Sequence, residues 1–409
     1  MKVTKSQKQV AYLYGSTILG VFVGVLVSIL NTRFLMPSEY GDVRYVNNII
    51  ALFSGIFLFG YFVSGSRLLA LAESKEGASR IKGILVTILG CAILLMMLVM
   101  FICGIVHHYF LHKDFYYLFY TVIPVCGSTL LLNYINTSSQ GDNSISTIAA
   151  ARVLPSLCYL IIGFIIYKNW GASNERMLLL QNGIAVIVLV FLILRNSPNF
   201  SQLKESFKKL NIENKQYGLQ VYYGSLANVS VQYIAGLTLG LFGTDNTNVG
   251  FYSLALTVTS PLAMLPNVIG TTYFKQFAHQ NIISKNVLWT TYLMSFISLA
   301  GFIILIYPTV DILYDESYIN VAFYASFLAL GATLQGLGDV YNRFLGAHGK
   351  GRYLRNGAFL SGAIALLGYT LGVYYGGIVG AIVTRILSSF SYFILMFFYY
   401  KRFVKYTKC

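Results

Sequence analysis

Charge is what this sequence has least of, and acid is scarcer than base. Only 11% of its 409 residues are Asp, Glu, Lys or Arg, and just 14 are acidic. A soluble domain of this size needs far more charge on its surface, so that class is excluded. Cysteine is also sparse. Cys91, Cys103, Cys126 and Cys158 lie in apolar runs and Cys409 ends the chain. Their spacing forms neither a metal site nor a disulfide framework, so they read as small buried apolar residues. Histidine supplies no metal centre. His108 and His112 have helical ligand spacing in VHHYFLHKD, with His107 beside them, but no third acidic partner shares their face. All three read as residues of a membrane interface. No loop is long.

What fills the chain is apolar, 56% of it. Apolar stretches of about 20 residues or more, the length that crosses ~30 Å of hydrocarbon, recur throughout. A transmembrane β-barrel would show short alternating segments instead. The pattern predicts an all-α polytopic membrane protein with twelve transmembrane helices, at roughly 10–32, 43–66, 83–106, 115–138, 146–167, 177–195, 218–242, 250–274, 286–308, 318–344, 354–375 and 378–400. The basic start MKVTKSQKQ leads into an apolar run reaching about Leu30 without a small-residue cleavage site, so it reads as an uncleaved first span.

The formal charge is +15. Its distribution argues against nucleic acid as a partner, because the cations gather in alternate loops. One side of the predicted topology holds 23 of the 29 Lys and Arg residues and the other holds five, with Arg385 inside the last span. That asymmetry predicts both termini on the cytoplasmic side. Membrane lipids with anionic headgroups account for part of the excess.

Two related halves are expected. Tyr14-Gly15-Ser16 recurs as Tyr223-Gly224-Ser225, and Gly15 to Gly41 and Gly224 to Gly250 are each 26 residues, with the second glycine opening the next span. Six spans separate the copies, so the repeats are parallel. The organisation expected is a six-helix lobe at 1–197, a cytoplasmic linker at 198–216 and a second six-helix lobe at 217–409. In the linker Phe200, Leu203, Phe207 and Leu210 share one helical face opposite Lys204, Lys208 and Lys209. It reads as an amphipathic helix on the inner leaflet, with a solvated linker as the alternative.

Polar residues interrupt several spans at helical spacing. Gln335, Asp339 and Arg343 fall at i, i+4 and i+8 in LQGLGDVYNRFLGAHGKGRYLRN, ahead of the basic cluster Lys350, Arg352 and Arg355. The segment admits two readings: a polar stripe entering a cavity, or an Asp339–Arg343 pair neutralising itself near the interface. Span 8 carries Ser253, Thr257, Ser260, Asn267 and Thr271 beside Pro261 and Pro266, which predict a kink. Span 7 carries Gln220, Gly224, Asn228, Gln232, Gly236 and Gly240, and span 4 carries Asn133, Asn136, Thr137 and Gln140. Helix–helix hydrogen bonding explains each stripe alone; together they suggest a shared hydrophilic cavity. The boundary charges are mostly cationic: Arg33, Arg44, Arg67, Arg152, Lys275, Arg343 and Arg385. Arg44 and Lys275 suit snorkelling to headgroups. Arg67, in VSGSRLLALA, and Arg385 do not, and guanidiniums around a cavity suit phosphate oxygens.

The joint order of FLMPSEYGDV, SGSRLLALAE and GDVYNRFLGAHGKGRYLRN resembles the Wzx-type O-antigen and polysaccharide flippases of the multidrug/oligosaccharidyl-lipid/polysaccharide superfamily, over essentially the whole chain. The resemblance implies a MATE-like fold of two six-helix lobes that rock about a cationic cavity. It implies a transporter, not an enzyme, in the bacterial inner membrane, without cofactor or metal. The implied cargo is undecaprenyl-pyrophosphate-linked oligosaccharide, moved to the periplasmic leaflet with coupling to H+ or Na+. A polysaccharide polymerase and a chain-length regulator are the implied protein partners. Arg67 and the Asp339–Arg343 segment match family motifs. The expected substrate-binding set is Arg67 and Arg343, with Arg33, Arg152 and Arg385 added on burial and Asn228 and Gln232 from the span 7 stripe. Asp339 is the expected ion-coupling carboxylate. A drug or cation exporter of the same superfamily is the runner-up, but it should present acidic cavity groups. A lipid-linked-sugar polymerase or glycosyltransferase usually needs a large outer loop or an Asp-x-Asp metal site, and this chain has neither.

Overall fold

The computed structural model describes residues 5–407, apart from the side chains of 5–14, 224, 227–231, 275 and 406–407. Among the described residues every regular element is a helix. In lipid a helix satisfies its own backbone, which an open strand cannot do. Packing divides the chain into two compact units: the chain up to Leu35 with Tyr45–Val229, and Met36–Arg44 with the chain from Ser230.

The first unit contains α1 (Lys5–Phe34), most of α2 (Pro37–Ile56), α3 (Tyr61–Ala70), α4 (Lys75–Tyr109), α5 (Tyr117–Val122), α6 (Ser128–Gly141), α7 (Ile145–Trp170), α8 (Asn174–Arg195), α9 (Leu203–Glu213) and the start of α10 (Leu219–Phe242). Two of its crossings are broken. The α2–α3 span bends by 59°, and the span Asp114–Val125 plus α6 bends by 41°. α1 packs on α7, burying Val23, Val27 and Leu30. The same contact carries polar groups. The Tyr159 hydroxyl donates to Asn31 Oδ1 at 2.5 Å and lies 2.7 Å from the Tyr167 hydroxyl, all three side chains being buried. Ser128 donates to Asn182 Oδ1 at 2.7 Å, and Asn182 donates to Asn47 at 3.1 Å. Such bonds specify one register between helices that lipid alone would not drive together.

The α2–α3 bend has a definite cause. Phe59 and Gly60 take φ of 44° and 78°, left-handed values that end one helix and start the next. The Phe59 carbonyl is left outside both helices, and Asn214 Nδ2 donates to it at 3.1 Å. Ser64 Oγ donates to Asn214 Oδ1 at 3.1 Å, and Tyr222 donates to the Ile56 carbonyl at 2.5 Å. A Cβ on Gly60 would stand 2.6 Å from the Gly218 carbonyl carbon, so only glycine admits this approach.

The linker helix α9 departs from expectation in one respect. Phe200 and Phe207 are exposed, as a lipid-facing stripe should be, but Leu210 is fully buried against this unit. The helix is docked on α3 and α4 as well as amphipathic. His107 also departs. It is buried, with Nε2 3.0 Å from the Tyr45 hydroxyl and Nδ1 2.8 Å from the Cys103 carbonyl, among Phe115 and Phe119. The rings around it, spread over three segments, exclude water from a residue expected at the interface.

The second unit contains α11 (Thr247–Thr272), the short α12 (Phe274–Phe277), α13 (Lys285–Leu313), α14 (Asn320–Ala347), α15 (Gly351–Leu367) and α16 (Val373–Thr407). The last two form a hairpin: the chain reverses at Gly377, with φ of 53°, and Tyr353 stacks on Tyr399 at 4.8 Å. With α10, the two bent spans and this hairpin, the helices supply twelve crossings in an all-α polytopic membrane fold. α14 is the most buried of the long apolar spans, held by α11 and α16 around Val340, Tyr341, Phe344, Met396 and Tyr400. α11 runs as one helix through both prolines. Pro261 cannot donate to the Thr257 carbonyl, and Ser260 Oγ donates to it instead at 2.8 Å. Residues 36–44 complete this unit. Gly41 and Gly250, the two equally spaced glycines, pack backbone to backbone, and Asn246 donates to Asp42 at 2.8 Å.

Candidate functional site

In the first unit two arginines flank the polar stripe of α6. Arg67, near the end of α3, is half exposed, because the buried faces of that helix belong to Phe62, Gly65, Leu68 and Leu69. Its Nη1 lies 2.6 Å from Glu213 Oε1 at the end of α9, and its guanidinium stands over the Tyr217 ring at 5.1 Å. A pocket of about 360 Å³ opens beside it, lined by Ser66, Arg67, Thr137, Gln140 and Tyr217 with Val63, Ala70 and Gly141. Arg152, on α7, is exposed, and donates to Asn136 Oδ1 at 3.4 Å and Thr17 Oγ1 at 3.2 Å. Thr137 spends its hydroxyl on the Asn133 carbonyl, 2.8 Å away, leaving the amides of Asn136 and Gln140 as the stripe's free-reaching groups. Nearby Lys82 pairs with Asp142 at 2.7 Å, both partly buried.

In the second unit the Gln335, Asp339 and Arg343 stripe is not closed by a direct ion pair, although Arg343 acts on the Asp339 carboxylate at longer range. Among the described residues no ion pair joins Asp339 to Arg343. The Asp339 carboxylate accepts from the Tyr392 hydroxyl at 2.9 Å. Arg343 and Arg385 act on it electrostatically and Gln335 bonds to it, and the field of Arg385 also extends to the buried Tyr252. The Nε of Arg385 is buried without a hydrogen-bond partner, above Gly331, where a Cβ would meet the arginine stem at 3.4 Å. Arg343 is exposed, and its Nη2 lies 3.4 Å from Asn267 Oδ1 on α11. The other polar side chains of the α11 stripe, Thr257, Ser260 and Thr271, donate to carbonyls of their own helix.

The remaining candidates stand apart from these clusters. Arg33 is exposed in the last turn of α1, where a cation suits the helix dipole. Gln232 is exposed on α10, and Asn228 lies outside the described side chains. The structure therefore brings Arg67 and Arg152 to one polar stripe in the first unit, and Asp339, Arg343 and Arg385 to one polar patch in the second. Sequence reasoning missed Glu213, Tyr217 and Tyr392. Glu213 is 146 residues from Arg67, and nothing in a single sequence links them. Tyr392 is one of 32 tyrosines, and only its proximity to the rare intramembrane acid sets it apart.

Among the described residues no cluster of three His, Cys, Asp or Glu could hold a metal ion. No curated protein matches the chain in sequence. Solved structures match it in fold at low identity. The lipid II flippase MurJ, in an inward closed conformation, aligns with a TM-score of 0.72 at 11% identity, over 95% of this chain and 87% of that one. A multidrug resistance MATE family transporter of the MOP superfamily, inward-facing, aligns with a TM-score of 0.66 at 14% identity, over 96% and 95%. A eukaryotic MATE transporter aligns with a TM-score of 0.60 at 13% identity, over 97% of each chain. The fold is thus the MATE-like one. The profile of the polysaccharide biosynthesis protein family matches residues 6–279, and a match over that much of a chain with this fold places it in that family.

Proposed function

We propose that the protein is a flippase for undecaprenyl-pyrophosphate-linked oligosaccharide, an O-antigen or related repeat unit. It moves this cargo from the cytoplasmic to the periplasmic leaflet of a bacterial inner membrane, with both termini cytoplasmic. In this reading residues 1–197 and 217–409 are the two lobes and 198–216 the linker. The observation that carries it is the state of the arginines. Arg152 and Arg343 hydrogen-bond only to amide and hydroxyl acceptors, with no carboxylate in ion-pair range among the described residues, and Asp339 acts on Arg343 only at longer range. Neutral acceptors leave Arg152 without an ion pair, and leave Arg343 offset only at a distance. A guanidinium in that state at membrane depth favours water or an anion, and its fork fits phosphate oxygens.

The chemistry of the cargo explains the rest. A sugar pyrophosphate cannot shed its hydration into hydrocarbon, so polar side chains must replace that water while the isoprenoid tail stays in lipid. The amides and hydroxyls beside Arg67, Arg152 and Arg343 are suited to sugars. With the inside negative, each negative charge exported gains about 2.3 kcal/mol per 100 mV. Asp339, held by Tyr392 and facing Arg385, is the carboxylate to test for H+ or Na+ coupling. Exchange of organic cations, the runner-up activity, would call for unpaired acids; Glu213 is instead paired with Arg67, and Asp339 lies in the fields of Arg343 and Arg385.

The test is transport. Reconstituted protein should move an undecaprenyl-pyrophosphate oligosaccharide to the far leaflet, and Arg343→Ala or Arg67→Ala should abolish surface polysaccharide in cells at an unchanged protein level. Full surface polysaccharide in both variants would remove the site assignment. Binding of an organic cation, and not of the lipid pyrophosphate, would favour the drug exporter.

A further inference from the structure

The end of the linker is not a passive tether. Between α9 and α10, residues 214–218 form a π-helical turn, and this turn sits on the break between α2 and α3. Three side chains of one short stretch hold it there. Glu213 pairs with Arg67 at 2.6 Å, Asn214 closes the break at Phe59, and Tyr217 lies under the Arg67 guanidinium. Tyr61 adds a longer bond to Asn211 at 3.4 Å. Arg67 and Tyr217 both line the 360 Å³ pocket, together with Ser66, Thr137 and Gln140. The pocket therefore has a cation, an aromatic face, two hydroxyls and an amide, and its cation is already engaged by an internal acid.

We propose that Glu213 is a built-in competitor for the anion that Arg67 binds: an autoinhibitory latch that a pyrophosphate head releases on entering the pocket. This rests on the reading of Arg67 as a substrate residue. Glu213 is the more buried partner and Arg67 is half exposed, with side-chain exposures of 14% and 50%. An approaching anion thus meets the guanidinium first. Pyrophosphate offers two to three charges and several oxygens against the single carboxylate, so it wins the fork. The released Glu213 swings to water at the end of α9, which loosens the π turn and the Asn214 contact behind it. Occupancy of the pocket is thereby reported to the linker and to the bend of the α2–α3 span.

The experiment uses the full chain in detergent, farnesyl pyrophosphate as probe and farnesol as control. Affinity is measured for the parent and for Glu213→Gln, and amide exchange is followed over residues 210–219. Removing an ion pair of this exposure should tighten binding about three- to five-fold. The parent should show faster exchange at 210–219 on adding the pyrophosphate, and Glu213→Gln should show that fast exchange without it. Glu213→Asp, which keeps the charge, should bind within about two-fold of the parent, separating competition from misfolding. If the parent binds but Glu213→Gln binds equally or more weakly, with exchange unchanged by ligand, the latch is overturned and the flippase reading stands. If neither protein prefers the pyrophosphate to farnesol, Arg67 is no phosphate residue, and both readings fall.

Discussion

Replacing Asn214 by alanine isolates the cost of the bent span. The amide is buried and makes two bonds: Nδ2 to the Phe59 carbonyl and Oδ1 from the Ser64 hydroxyl, both at 3.1 Å. Ser64 keeps a second acceptor, the Gly60 carbonyl at 3.1 Å, so losing Oδ1 costs little. The Phe59 carbonyl has no such reserve in the bend. Leaving this part-buried acceptor unmade costs within about 1–3 kcal/mol, here taken as ~2. That multiplies the population in which the bend has opened roughly 30-fold. Amide hydrogen exchange on a peptide covering 57–66 reads this directly, because local opening governs exchange there. The Ser64 amide, bonded to the Gly60 carbonyl at 3.1 Å, is the reporter. Exchange in α7, remote from the bend, should not change, and Ser64→Ala should have a smaller effect than Asn214→Ala. A rise below about three-fold in the 57–66 peptide would mean that the bend does not depend on the amide, and the account of its origin would fail.

Tyr159→Phe removes a hydroxyl shared by Asn31 and Tyr167 in the α1–α7 contact, and should lower thermal stability in detergent by about 1–3 kcal/mol, read as a fall in melting temperature. Gly338→Ala places a Cβ 2.6 Å from the Tyr392 ring and should push the hydroxyl off Asp339; transport should fall while Gly346→Ala, in looser surroundings, transports normally. A double-mutant cycle on Lys82 and Asp142 should give a coupling of about 0.5–2 kcal/mol, above the value for an exposed pair because both groups are partly buried. Arg152→Lys should retain part of the transport rate that Arg152→Ala loses, since charge survives but the fork does not.

The spans were legible because length and hydropathy are set by the bilayer. The turn expected between the spans ending at 375 and starting at 378 coincides with the reversal at Gly377. The breaks were not. The stretches 43–66 and 115–138 read as continuous, since a helix and a bent helix have the same composition; what bends the first is a pair of residues with positive φ and an amide 155 residues away. Pro261 and Pro266 lie inside α11 without ending it, and at Pro261 the Ser260 hydroxyl takes up the orphaned Thr257 carbonyl. Among the candidate residues, Arg67 looked enclosed by its apolar neighbours. On a helix those neighbours point elsewhere, and the arginine is half exposed. Asp339 and Arg343 have the right spacing to pair, but spacing does not reveal that Tyr392 and Asn267 stand closer.

The closure of the α2–α3 bend also sets an order of assembly. The carbonyl of Phe59 leaves the ribosome long before Asn214 does, 155 residues earlier. At 5–20 residues per second the gap is about 8–30 s, during which four further hydrophobic segments are made. Until Asn214 arrives, the second crossing carries a backbone carbonyl without its amide partner. A fragment ended at Arg195, at the close of its sixth crossing, would hold both helices of the bent span and still lack the amide that completes it.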